Sequence, residues 1–236
     1  MLSQQDIKHI NALKIKKYRT KYAQFIAEGD KIIKELINNG LEVVHIYTTN
    51  VAFYPNVSSV SLISDDILKK ISALQHPYHS LAIFKIPSSA CHITGNEWIV
   101  LLDDIQDPGN MGTIIRTCDW FGIKKIFCSD GCVDAYNPKV VQASMASIGN
   151  VQVVETDLLS LISTNNLPVY GAVLNGKNFR TQTYIEKGFI LIGNEGHGIQ
   201  KTLIDKINYP ITIPKIGKAE SLNAAIATAL ILDKIS

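Results

Sequence analysis

Beyond Trp98 the chain repeats one pattern that limits its fold more than any other feature. Short apolar runs with almost no polar alternation, "WIVLLDDI", "KKIFCS", "VQVVE", "PVYGAV", "GFILIG" and "YPITI", are each followed by a helical or turn-forming segment. A strand with one face in water alternates apolar and polar residues, whereas a strand covered on both faces does not. The pattern therefore predicts an α/β domain with a parallel sheet sandwiched between helices. Ligands of such sheets gather at the carboxyl ends of the strands. Three of those ends are rich in Gly, Asn and charge: "DDIQDPGNMGTIIRT", "IGNEGHG" and "IPKIGKAESLN".

The preceding part reads as a smaller α/β unit. "FIAEG", "EVVHIYTT", "VSSVSLI" and "SLAIFKI" have strand patterns. "DKIIKELINNG" places Ile32, Ile33, Leu36 and Ile37 on one helix face with Gly40 as its stop, and "SDDILKKISAL" is a helix with Ser64 placed to cap it. The aperiodic "PSSACHITGNE" separates the two patterns. The expected organisation is a small domain over 1–86, a linker over 87–96 and the parallel-sheet domain over 97–236.

With 46% hydrophobic and 19% charged residues, the composition is that of a folded chain. The net charge of +2 names no partner, but Lys8, Lys14, Lys16, Lys17, Arg19 and Lys21 crowd the N-terminal segment against the single acid Asp6. This cluster suits a polyanion, or is a solvated helix face. The polar start has no signal-peptide core and no run is long enough to span a membrane, so a cytoplasmic protein is expected. Four cysteines are few for a disulfide scaffold in 236 residues. "CSDGC" has no second ligand pair to complete a zinc site, so reduced thiols and no metal are expected.

In the first polar loop, Asp107, Pro108 and Gly109 make a turn, with Asn110 in the loop or as the helix cap and Arg116 rising from the helix behind it. The second loop has the spacing G-x-x-G-x-G, which is neither the dinucleotide fingerprint nor a phosphate loop. Its glycines, Gly193, Gly196 and Gly198, allow close backbone approach, and Glu195 lies among them without a structural need for charge. His197 reads as incidental in such a turn, as do His76 and His79 in "HPYH". In the third loop Gly217 turns the chain and Ser221 is placed to cap the last helix, which leaves Asn223 unexplained.

In order and spacing, "NMGTIIRT", "LIGNEGHGI" and "IPKIGKAESLNAAIATAL" resemble the three motifs of the SpoU (TrmH-type) branch of the SPOUT methyltransferases. "FIAEGDKIIKELI" is similar, less specifically, to the start of their L30e-like RNA substrate-binding domain. The resemblance implies transfer of a methyl group from S-adenosylmethionine to a ribose 2′-hydroxyl of RNA, with ribosomal RNA favoured over transfer RNA. It implies a deep trefoil knot at the C-terminus and a homodimer to which the helix "AAIATALILDKI" contributes. Carried over by position, Arg116, Asn110, Glu195, Ser221 and Asn223 form the catalytic set. Gly193, Ile213, Gly217 and Leu222 hold the cofactor, and Lys14, Lys16, Lys17, Arg19 and Lys139 are the expected RNA contacts.

Within that resemblance Arg116 is expected to clamp a phosphate and stabilise the developing alkoxide, because a guanidinium donates hydrogen bonds and accepts none. Asn110 is expected to fix the ribose or Arg116. The chain departs from the family between the first two motifs: in "KVVQASMASIGN", Gln142 stands where Arg is usual and Ala146 where Gly is usual. The lost Arg implies a lost phosphate contact. The competing readings are a non-catalytic RNA-binding protein of the same fold and a nucleotide-dependent oxidoreductase, the latter disfavoured by the absent dinucleotide fingerprint.

Overall fold

The computed structural model describes residues 2–88, 91–184 and 186–236. Ser89 and Ala90 of the expected linker lie outside the described residues. The chain groups into two compact units that are not contiguous in sequence: Met1–Ser88 with Asp134–Gly149, and Ser89–Val133 with Asn150–Ser236.

The first unit begins with α1 (Gln4–Ala12), where Ser3 Oγ accepts from the Asp6 amide at 3.1 Å and the Asp6 carboxylate accepts from the Ser3 amide at 3.0 Å. There follow α2 (Lys16–Tyr22), β1 (Gln24–Glu28), α3 (Asp30–Asn38), β2 (Val43–Thr48), β3 (Val60–Leu62), α4 (Asp65–Ile71) and β4 (Ser80–Lys85). The sheet order is β1-β4-β2-β3, antiparallel except for the parallel β2–β3 pair. Ser64 caps α4 as expected, its Oγ accepting from the Ile67 amide. Ile10, Leu13, Ile26, Tyr47, Leu68, Ile71, Leu81 and Ile83 make the core.

Two of the expected RNA contacts are committed to this unit's own structure. Arg19 is 2% exposed; its Nη1 donates to the Leu13 carbonyl at 2.9 Å and its Nε to Asp134 Oδ2 at 2.7 Å. A buried guanidinium bonded in this way cannot reach a phosphate, so Arg19 is a structural cation. Lys14 is half-buried and donates to the Ser72 carbonyl at 2.7 Å, and loss of water holds its pKa below the usual lysine value. Lys16, Lys17 and Lys139 are exposed.

The second unit starts with β5 (Ile99–Leu102), α5 (Pro108–Trp120) and β6 (Lys125–Cys128). The next helix, α6 (Pro138–Ser144), belongs to the first unit and is capped by Asn137, whose Oδ1 accepts from the Lys139 amide at 2.9 Å. The second unit resumes with β7 (Gln152–Glu155), α7 (Leu158–Thr164), β8 (Val169–Asn178), β9 (Phe189–Ile192), α8 (Lys201–Ile204), β10 (Tyr209–Thr212) and α9 (Ala224–Ile235).

Its sheet, β10-β8-β9-β5-β6-β7, is parallel at every pairing, and β5 and β9 are buried along their whole length. The six apolar runs are therefore the six strands. β8 outlasts "PVYGAV" because its register with β10 jumps from Gly171–Pro210 to Lys177–Ile211. Gly176 permits the jump, since any Cβ there would lie 2.6 Å from the Pro210 carbonyl carbon. The chain runs outward through β6 and β7, crosses to β8, and returns β9 to the gap beside β5. This reversal places the ends of β5 and β9 side by side.

Among the described residues no helix is long and apolar enough to cross a membrane, no cluster of His, Cys, Asp and Glu can hold a metal ion, and the four cysteines are free. After α6, Met145 and Ala146 take left-handed backbone angles with φ of 49° and 72°, and Ala146 is buried. A side chain in that region costs about 1–2 kcal/mol. Ala146→Gly is therefore expected to raise stability by about 1 kcal/mol, net of the entropy that Gly adds to the unfolded chain, measured from the urea midpoint.

Candidate active site

The parallel pairing of Leu102 with Ile192 continues one step further, the Asp103 amide donating to the Ile192 carbonyl at 2.9 Å. The first and second loops thus leave the sheet as neighbours. At the start of α5 the N-cap is Asp107, whose Oδ1 accepts from the Asn110 amide at 2.8 Å, and Pro108 occupies the first helical position. Asn110 is therefore not the cap; it lies in the first turn with its side chain free to bond elsewhere.

That side chain joins all three loops. Asn110 Nδ2 donates to Glu195 Oε1 at 2.6 Å, and Asn110 Oδ1 accepts from Asn223 Nδ2 at 2.8 Å. Glu195 Oε1 also accepts from the Ala224 amide, at 3.4 Å, in the first turn of α9. The helix N-terminus there favours the carboxylate's charge. Asn223, not Ser221, caps α9: its Oδ1 accepts from the amides of Ala225 at 3.0 Å and Ile226 at 3.2 Å. Asn223 was the residue that capping by Ser221 left without a reason, and it is both cap and crosslink. Ser221 is exposed in the loop before it.

Arg116 stands two turns along α5, exposed and with no hydrogen bond or ion pair among the described residues. Asn110 thus fixes Glu195 and Asn223 rather than Arg116. On α5, Gly109, Thr113, Arg116 and Trp120 share one exposed face, while Met111, Gly112, Ile114, Ile115 and Cys118 are buried.

A second set of contacts, assigned no role by the sequence, holds the Glu195 loop. Asn194 and Gly198 close it by reciprocal backbone bonds of 3.1 and 2.9 Å. Asn194 Oδ1 accepts from the Gly196 amide at 2.7 Å, and Asn194 Nδ2 donates to the Asp104 carbonyl at 2.8 Å. His197 is not incidental, because its Nε2 lies 2.7 Å from Asp104 Oδ2. The fully buried Asp103 accepts from Gln200, from its amide at 2.7 Å and its Nε2 at 2.8 Å. The pair Asp103–Asp104 at the end of an apolar strand was the available signal.

Below the first loop, Cys132 Sγ accepts from the Ile105 amide at 3.2 Å and donates to the Leu102 carbonyl at 3.3 Å. A hydrogen bond with Cys128 holds the Cys132 thiol below its usual pKa.

Gly193, Ile213, Gly217 and Leu222 lie on the second and third loops. Gly193 follows β9 directly, and a Cβ there would lie 2.5 Å from the Gly198 carbonyl carbon, so only Gly permits the tight loop. Ile213 follows β10. From 213 to 222 the main chain makes no backbone–backbone hydrogen bond among the described residues. Gly217 faces open space, and Leu222 is 43% exposed.

This geometry can be set beside known proteins. Residues 97–233 match the SpoU rRNA Methylase family, and residues 4–82 match the MRM3-like substrate binding domain. The chain belongs to the SpoU rRNA methylase family. It is 29% identical to a 23S rRNA (guanosine(2553)-2′-O)-methyltransferase of Bacillus subtilis, over 97% of this chain and 94% of that protein. Among solved structures, a TrmH-family protein of Porphyromonas gingivalis superposes with a TM-score of 0.88 at 33% identity, covering 99% of this chain and 98% of the other. An AdoMet-bound rRNA methyltransferase of Sinorhizobium meliloti does so with 0.88 at 28% identity, covering 99% and 95%.

For this SpoU methylase, Asn223→Ala removes a cap and a crosslink together and is expected to cost about 1 kcal/mol or more. Asn223→Asp retains the cap oxygen but cannot donate to Asn110. In urea unfolding, the loss in Asn223→Asp relative to the parent reports the crosslink, and the further loss in Asn223→Ala reports the cap.

Proposed function

We propose that the protein transfers the methyl group of S-adenosylmethionine to a ribose 2′-hydroxyl of 23S ribosomal RNA. The observation that carries this reading is the closure of three strand-end loops by Asn110, Glu195 and Asn223, with the exposed donor Arg116 on the adjoining helix. The residues fit the cofactor: a ten-residue stretch of main chain from 213 to 222, without backbone partners, offers donors and acceptors to an adenosine and an amino-acid moiety. Gly193, Ile213 and Leu222 are the residues that would hold it, with Gly217 giving the loop its turn. The bound cofactor supplies an electrophilic methyl group on a sulfonium.

The chain's own residues have the remaining tasks. Arg116 clamps a phosphate next to the target ribose and stabilises negative charge as it develops on the 2′-oxygen. The hydroxyl proton goes to a phosphate oxygen or to water, since Arg116 can only donate. Asn110, Glu195 and Asn223 hold the loop framework in register, and Ser221 lies at the same mouth. Aligning acceptor and donor in line is the main contribution required of the protein. Lys16, Lys17 and Lys139 are the exposed cations left from the expected RNA set, and the first unit is the RNA-binding part. The cytoplasm is the compartment proposed for this chemistry.

The family's trefoil knot is part of the same proposal, with the C-terminal segment threaded through a preceding loop. So is a homodimer. On α5 Trp120 is 85% exposed and on α9 Ile226 is 52% exposed, and these two helices pack against each other. Exposed apolar side chains of this size are available to a second copy. Trp120→Glu is expected to convert the dimer to monomer in sedimentation velocity; an unchanged coefficient would place the interface elsewhere.

The test of activity is transfer of labelled methyl from S-adenosylmethionine to total RNA from cells lacking the protein, followed by size separation and digestion to nucleosides. A 2′-O-methylated nucleoside from the large ribosomal RNA is expected, and label in the transfer RNA fraction would overturn the substrate. Arg116→Ala is expected to lower turnover by about 10²–10³-fold. Cofactor affinity, measured by calorimetry, should stay within about twofold.

A further inference from the structure

Glu195 sits in a loop whose base is closed by Asn194 and Gly198 but whose tip is built of small or exposed residues. Gly196, His197 and Gly198 are all exposed, and two of the three are glycines, whose backbone freedom would let the tip rock. Glu195 Oε1 nevertheless meets both Asn110 Nδ2 and the Ala224 amide. Something must fix the tip from the far side of Glu195, and the structure offers one anchor.

Asp104 has every polar group engaged. Its amide donates to Ser129 Oγ at 2.9 Å, its carbonyl accepts from Asn194 Nδ2, its Oδ1 accepts from Gln106 Nε2 at 3.0 Å, and its Oδ2 meets His197 Nε2 at 2.7 Å. Its backbone is left-handed at φ 58°, and its side chain packs against Gly131, where an added Cβ would lie 2.5 Å from Oδ1. A non-glycine residue held in that conformation by its surroundings is a rigid point. Two tethers run from it to the loop, one at Asn194 and one at His197, and Glu195 lies between them in sequence.

We propose that His197 and Asp104 form a positioning pair, which fixes the tip of the second loop so that the Glu195 carboxylate holds Asn110 and the start of α9 in register. Its proposed role is positional: it acts through Glu195. The inference rests on the methyl-transfer reading for its kinetic consequence and on the loop geometry for its structural one, and the two are separable.

The test uses the full chain with His197→Ala, Asp104→Gly, the double variant and His197→Gln. Glycine accepts the left-handed backbone of Asp104, so Asp104→Gly removes the carboxylate without strain. In His197→Ala and in Asp104→Gly, kcat is expected to fall about tenfold while KM for S-adenosylmethionine stays within about twofold, because misplacement of the framework acts on alignment. The double variant should be no slower than either single one, as for two ends of one interaction. His197→Gln, which keeps a side-chain N–H donor, should recover most of kcat. Hydrogen exchange at the Ala224 amide should quicken in both single variants and be restored by Gln.

A kcat for His197→Ala within twofold of the parent, multiplicative effects in the double variant, or a rise in KM in place of the fall in kcat would each overturn the pair. If the parent chain methylates no RNA, the functional reading fails, and Ala224 exchange alone decides the pair. Faster exchange in His197→Ala then supports it, and unchanged exchange overturns it.

Discussion

The pairing of β5 with β9 is the contact on which the site depends. Because Leu102 lies opposite Ile192 in a parallel register, the two strands end together, and the loops that follow leave the sheet as neighbours. Side chains 85 positions apart, Asn110 and Glu195, are thereby brought to 2.6 Å. Both faces of β9 are apolar, so alternation does not set this register; close packing of the side chains holds it. The starts of α5 and α9 are joined at Asn110 and Asn223. The helices then run along each other with Ala224, Ala225 and Thr228 of α9 buried, residues small enough for close approach.

This arrangement explains why a polar cluster stands close to the chain end. A terminal helix frays when nothing ties its first turn, whereas here Asn223 caps α9, bonds Asn110, and leads into a helix buried along one side. The preceding loop is the opposite case. From Pro214 to Asn223 every residue is exposed, and the main chain up to 222 lacks backbone partners among the described residues. A fixed frame thus meets an open main-chain segment, and binding energy from a ligand can order the segment without rebuilding the frame.

Much of this was legible in the sequence, because local pattern determines local structure. Absence of alternation identified the six strands of the parallel sheet, Ser64 was read as a cap, and the three motif loops were located at strand ends. What stayed hidden were partners. Period tells which face of an element is buried, but not which side chain answers it across the fold. Arg19 therefore read as one more exposed cation in a basic run until Asp134, 115 positions away, accounted for it. Asp107 and Asn223 were missed as caps because each loop held several residues able to cap, and only backbone angles decide among them. His197 read as incidental because its partner Asp104 was 93 positions distant.

The departures at Gln142 and Ala146 gain a different meaning from the same kind of partner. In the sequence, the missing Arg at 142 read as a lost phosphate contact. In the first unit, however, Gln142 lines a small cavity with Glu28, Ala73, Leu74, Pro138 and Lys139. Glu28 is 4% exposed, accepts from the Ala73 amide at 2.7 Å and from Ser72 Oγ, and is pushed above the usual carboxylate pKa by burial despite both bonds. A cation at 142 would share that cavity with the Glu28 carboxylate. The neutral Gln142 adds no charge where Lys139 already lines the cavity and Lys14 already acts on Glu28. The position therefore bears on the internal electrostatics of the first unit before it bears on RNA. Ala146, left-handed at φ 72° and buried, adds backbone strain just beyond the same helix, α6.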